Sequence, residues 1–138
     1  MGYILEPEVA GGWGEGTVAD TSTHPPIIKR MEYKFDGWSG DDLLTSFPCF
    51  IVSERLAKEI ESSNLNGYEM APVEITKSDG FEEFYPNTEL PKFKWLQING
   101  IINKNDFAIN TELRLVVSEA AFKVLSMFNI KQCDVEEC

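Results

Sequence analysis

Two acidic clusters hold most of the side chains in this sequence that could do chemistry. The first is Asp36, Asp41 and Asp42 around Trp38, in the run Asp36-Gly37-Trp38-Ser39-Gly40-Asp41-Asp42. Asp and Ser bond their own backbone and Gly permits positive φ, so this is turn chemistry. An aromatic anchor among carboxylates is also the mixture that binding hot spots favour for a basic partner. A calcium loop would need regularly spaced oxygen ligands closed by a bidentate Glu, and the run lacks that spacing. The second cluster is Asp79, Glu82, Glu83 and Glu89, interleaved with Phe81, Phe84 and Tyr85. Three aromatics in so polar a connection predict that some pack inward while the carboxylates project outward as an acidic rim. From these clusters the sequence nominates Trp38, Asp41, Asp42, Glu82, Glu83 and Tyr85 as partner contacts.

Catalytic residues are not nominated. The one histidine, His24, precedes Pro25-Pro26 in a loop, where an imidazole is ordinarily solvated. There is no nucleophile elbow, and Gly11-Gly12-Trp13-Gly14-Glu15-Gly16 matches neither phosphate-loop pattern. Cys133 and Cys138 lack a second ligand pair, so no metal is expected, and Cys49 between Pro48 and Phe50 reads as a core residue. No cofactor is expected either.

Composition points the same way. Twenty-three acids against twelve bases in 138 residues give a formal net charge of −11. That field repels phosphate backbones and attracts basic proteins, so direct nucleic-acid binding is not expected. With 43% hydrophobic and 12% aromatic residues, the chain has the apolar surface to fold as one domain over residues 1–138. The odd cysteine count argues against a disulfide framework, and no apolar run reaches membrane length. The expected setting is the cytoplasm, without a signal peptide. The oligomeric state stays open.

Several elements must position these residues. Tyr3–Leu5 reads as a strand, followed through residue 26 by a loosely ordered Gly- and Pro-containing segment in which Trp13 serves as a core anchor. Residues 27–35 alternate as one strand, with Met31, Tyr33 and Phe35 on the inner face and Arg30, Glu32 and Lys34 on the other. Pro48–Val52 is a strand. Ser53 caps a helix to about Ser63 that buries Leu56, Ala57 and Ile60, and Gly67 is its exit. Met70–Ile75 reads as a strand with an edge or bulge at Pro72, and residues 77–92 as a polar connection. Phe93–Ile98 and Leu113–Val117 are strands. Ser118 caps a second helix burying Ala121, Val124, Leu125 and Phe128, and Cys133 and Val135 suggest a last strand.

The two capped helices echo each other. Ile51–Glu69 lies without a gap on Val116–Asp134 at an offset of 65, with identities at Val52 and Val117, Ser53 and Ser118, Glu54 and Glu119, Lys58 and Lys123, and Asn64 and Asn129. Upstream, the same register sets Asp41 against Asp106 and Tyr33 against Ile98. Any two strand–cap–helix units share some of this spacing for physical reasons. The expected fold is α+β: a mixed or mainly antiparallel sheet with two helices packed on it and an internal β-α-β pseudo-repeat.

The motifs Phe35-Asp36-Gly37-Trp38-Ser39-Gly40-Asp41-Asp42-Leu43-Leu44, Phe50-Ile51-Val52-Ser53-Glu54 and Leu115-Val116-Val117-Ser118-Glu119 resemble those of a family of bacterial immunity proteins from polymorphic toxin systems. The resemblance extends over most of residues 27–130. It implies a small α+β protein that binds one cognate toxin and blocks its active site or substrate access, and it carries no catalytic residues over. The charge adds the expectation of a basic, nucleic-acid-targeting toxin. The alternative is a non-enzymatic interaction or regulatory module, able to self-associate through an exposed sheet edge.

Overall fold

Ser53 and Ser118 start two helices in the same way. Each side chain accepts a hydrogen bond from the backbone N–H three residues on, Leu56 N at 3.4 Å and Ala121 N at 3.1 Å. A glutamate follows each cap at the positive end of the helix. The helices are α1 (Glu54–Ser62), which buries Leu56, Ala57 and Ile60, and α3 (Glu119–Leu125), which buries Ala121, Val124 and Leu125. A computed structural model describes residues 2–138. Within it these helices belong to an α+β fold of three helices and thirteen strands.

The strands in chain order are β1 (Gly2–Glu6), β2 (Gly11–Trp13), β3 (Val18–Asp20), β4 (Ile27–Arg30), β5 (Glu32–Phe35), β6 (Leu43–Ser46), β7 (Cys49–Ser53), β8 (Tyr68–Ala71), β9 (Glu74–Lys77), β10 (Phe93–Ile98), β11 (Phe107–Ile109), β12 (Leu115–Ser118) and β13 (Asp134–Glu137). The short third helix, α2 (Asp79–Phe84), lies between β9 and β10.

Two four-stranded antiparallel sheets have the same plan. One runs β6-β7-β10-β8 and the other β11-β12-β1-β13. In each, a hairpin leads into a capped helix, and the chain returns as an edge strand. The strand between hairpin and edge comes from the other half. β1 precedes the first hairpin in sequence but pairs with β12 and β13, while β10 precedes the second hairpin but pairs with β7 and β8. The two halves thus exchange a strand.

The register makes the equivalence exact to the residue from β7 to β8 and from β12 to β13. Phe93 faces Ser53 as Gly2 faces Ser118, and Leu96 faces Met70 as Leu5 faces Val135. The gapless alignment needs correction upstream of β7. The second hairpin holds one more residue, with Thr45 facing Phe50 but Ile109 facing Leu115, so Asp42 rather than Asp41 corresponds to Asp106. Tyr33, on β5, has no counterpart relation to Ile98 on β10.

The main core fills the space between the halves, joining Leu43, Val52, Leu56, Ile60 and Leu96 to Phe107, Val117, Ala121, Leu125 and Leu5. A second core lies on the other face of the β6-β7-β10-β8 sheet. There Leu44, Ile51 and Trp95 meet Met31, Tyr33, Phe35 and Phe81 from a covering layer, the sheet β2-β5-β9 with α2. β5 and β9 pair in parallel, and β3 and β4 form a separate antiparallel ribbon.

This layer departs from the expected single sheet with two helices. β1 is the strand expected at Tyr3–Leu5, but the stretch after it through residue 26 holds β2 and β3 rather than a loose segment. β2 lies against β5 because Gly11 has no side chain; a Cβ there would come within 1.9 Å of the Lys34 carbonyl oxygen. Gly14 is held the same way, its absent Cβ falling 1.8 Å from a Glu32 carboxylate oxygen. Trp13 is on the exposed side of β2 and is not a core anchor. The predicted strand over 27–35 divides at Met31 between the ribbon and the layer, and Pro72, unable to donate to a ladder, separates β8 from β9.

Candidate partner-binding groove

Trp38 is held at the layer's edge by its own turn. Its indole N–H donates to the Asp41 carbonyl at 2.8 Å, and its ring meets Phe93 edge-on at 6.3 Å. The strand end before it is pinned by Asp36 N donating to the Ala10 carbonyl at 2.8 Å. Tyr85 comes from the C-terminal end of α2, a helix that the polar composition of residues 77–92 concealed. Ser78 caps it, accepting from Phe81 N at 3.1 Å, and Phe81 is buried beneath it. The Tyr85 N–H bonds back to the Phe81 carbonyl, and the two rings pack edge-to-face at 5.7 Å. A Cβ on Gly37 would be 3.5 Å from the Tyr85 ring. The fold therefore brings together two residues nominated separately, Trp38 and Tyr85.

Between them is a groove of about 360 Å³ whose lining includes Glu8, Val9, Asp36, Trp38, Ser39 and Tyr85. Glu8 and Asp36 are its charged lining residues, and both are acids. Val9 is 67% exposed and Tyr85 50%, so the rim offers apolar and aromatic surface to a partner. Glu82 and Glu83 stand exposed on α2 next to Tyr85, the outward acidic rim expected of them, without lining the groove. Phe84 is 73% exposed; of the three aromatics in this segment, only Phe81 turns inward.

Asp41 and Asp42 require a correction. They were expected on an exposed acidic loop, and they are 1% and 2% exposed. Their partners come in part from the far end of the chain, at Asn129 and Gln132. Asp42 accepts from Asn129 N at 2.9 Å, from the Ser53 hydroxyl, and from Arg55 through Nε at 2.8 Å and Nη2 at 2.6 Å. Burial would raise its pKa, but the bonds from Arg55, Ser53 and Asn129 outweigh that and hold it below the usual carboxylate value. Asp42 is a structural joint between the halves, and neither carboxylate faces outward to meet a partner.

Asp41 is placed less comfortably. One oxygen accepts from Gln132 N at 2.8 Å, while Oδ1 is buried with no hydrogen-bond partner among the described residues. Burial raises its pKa, Gln132 opposes the shift, and the charges of Glu8 and Asp42 add to it. Glu8 Oε1 is likewise buried and unpartnered. These two orphan oxygens, one on a residue that lines the groove, were invisible to sequence reasoning, which passed over Glu8 altogether.

Elsewhere the chain offers shape with little chemistry. An apolar hollow of about 320 Å³ is lined by Pro25, Pro26, Phe50 and Trp95 together with Cys49, whose thiol is pushed up to about 12 by burial. Among the described residues, no three His, Cys, Asp or Glu side chains converge as a metal site. None of the described helices is long and apolar enough to cross a membrane. No protein-family model matches the chain, and comparison with curated proteins returns no match.

Proposed function

We propose that this chain is an immunity protein that binds and neutralises a cognate bacterial toxin, a basic and nucleic-acid-targeting enzyme, and that it does so through the acidic and aromatic surface around the groove. The observation that carries the reading is the groove itself: exposed Tyr85 and Val9 beside Trp38, with acids as its charged lining residues, on a chain of net charge −11. Such a surface steers a cationic partner electrostatically and then desolvates against its apolar groups. A nanomolar complex corresponds to about −12 kcal/mol, within reach of an interface with two or three aromatic anchors.

Co-purification of the tagged chain with the product of the adjacent upstream gene, followed by titration at two salt concentrations, tests this. The expected result is a stoichiometric nanomolar complex that weakens with salt, together with growth protection when both are co-expressed. A clean chain that neither binds nor protects would remove that toxin as the target and leave a general interaction module as the account.

A further inference from the structure

We propose that the groove is an anchor site for a single arginine side chain of the partner, its guanidinium packing on Tyr85 and donating to Glu8 and Asp36. The proposal rests on the toxin-binding reading for the partner being a basic protein, and it names the chemistry that the groove recognises.

The chain contains its own template for such a site. Arg55 forks two N–H groups onto the Asp42 carboxylate while its guanidinium carbon lies 5.3 Å from the centre of the Phe128 ring. Carboxylate, aromatic face and guanidinium are all present there. The groove has the first two, in Glu8 and Asp36 and in Tyr85, and its lining contains no cation. A planar guanidinium matches this combination because it stacks on a ring while its edge donates to carboxylate oxygens, which an ammonium does less well.

The two acids of the lining are not neutralised from within the chain: among the described residues no ion pair engages Glu8 or Asp36. A cation entering the groove therefore meets two uncompensated carboxylates.

Hexa-arginine and hexa-lysine peptides, titrated at low ionic strength and followed by calorimetry and amide NMR shifts, test the site without the toxin. The expected result is that hexa-arginine binds more tightly than hexa-lysine and shifts the amides of Gly11, Gly37 and Tyr85. Glu8→Gln, which keeps the side-chain shape, should weaken it about tenfold. Tyr85→Ala should weaken it about threefold while Tyr85→Phe, which retains the ring, should not. Equal affinity for the two peptides, binding untouched by Glu8→Gln and Tyr85→Ala, or shifts confined to Glu82, Glu83 or β13 would each overturn the proposal. Peptide binding as expected with no toxin neutralised would sink the immunity reading and leave the arginine site standing. Toxin binding with an inert groove would do the reverse.

Discussion

On the sheet of the first half, Leu44, Ile51 and Trp95 point away from the main core and are sealed beneath β5, β9 and α2. Their counterparts in the second half are Ala108, Val116 and Ile4, and among the described residues no sheet lies over them; Val116 and Ile4 are only half-buried. The scaffold is the same, and what differs is the layer. Residues 7–41, between β1 and β6, and residues 72–92, between β8 and β10, supply that layer. Every groove residue, from Glu8 and Val9 through Asp36 and Trp38 to Tyr85, falls within those two stretches. The repeated units therefore carry the shared core, and the part without a counterpart carries the groove proposed for recognition.

The strongest way to break this comparison is at the shared core. Ile60 and Leu125 occupy equivalent places, and both are fully buried. Ile60→Ala and Leu125→Ala should each cost about 2–5 kcal/mol in urea unfolding, with similar values for the two. A large inequality would mean that the halves are alike in topology but not in how they bear the fold.

A smaller and deliberately unequal effect is expected at the two joints. Asp42 accepts from Ser53, Asn129 and Arg55, whereas Asp106 accepts from Ser118 and Asn66 and is only half-buried. Removing Asp42 orphans more donors, so Asp42→Ala should cost about 2–4 kcal/mol and Asp106→Ala about 1 kcal/mol. The pH dependence follows with a definite sign. The folded pKa of Asp42 lies below its ordinary value, so its stabilisation is present above that ordinary value and is lost as pH falls through the folded one. Asp41 is shifted the other way, so its ionisation as pH rises through the carboxylate range works against the fold. Urea midpoints across the acid range should therefore fall less steeply for Asp42→Ala and more steeply for Asp41→Asn than for the parent chain.

The smallest effect completes the comparison. Ala120 stands where Arg55 stands in the first half, so Asp106 lacks an intramolecular guanidinium. Ala120→Arg should restore the missing fork and raise stability by up to about 1 kcal/mol, as befits an exposed pair. The gain should vanish in the Asp106→Ala background.

How much of this was legible in the sequence depended on distance along the chain. Ser53 and Ser118 announced their helices because capping is local, and the buried faces of α1 and α3 follow from 3.6-residue spacing, except that α3 ends at Leu125 and leaves Phe128, expected on its buried face, half-buried beyond it. The offset of 65 was visible for the same reason, since both units repeat a local pattern. The burial of Asp41 and Asp42 was not legible, because the donors that accept them into the interior, Asn129 and Gln132, are about ninety residues away. Nor was the exchange of β1 and β10, which depends on pairing across the whole chain. α2 was missed because Gly80 and four acids diluted the signal of a Ser78 cap, and β2 because the tight approach of Gly11 to Lys34 leaves no mark beyond a glycine.

The central claim, that recognition belongs to the covering layer of the first half, is tested most directly by matched charge reversal. Glu8→Lys with Asp36→Lys alters the groove, and Glu112→Lys with Glu137→Lys alters exposed positions in the second half, with the same change in net charge. Each pair is co-expressed with the proposed toxin, the product of the adjacent upstream gene, and scored for growth. Loss of protection with the groove pair alone is the predicted result. Equal loss from both pairs, or loss from the second-half pair only, would contradict the account.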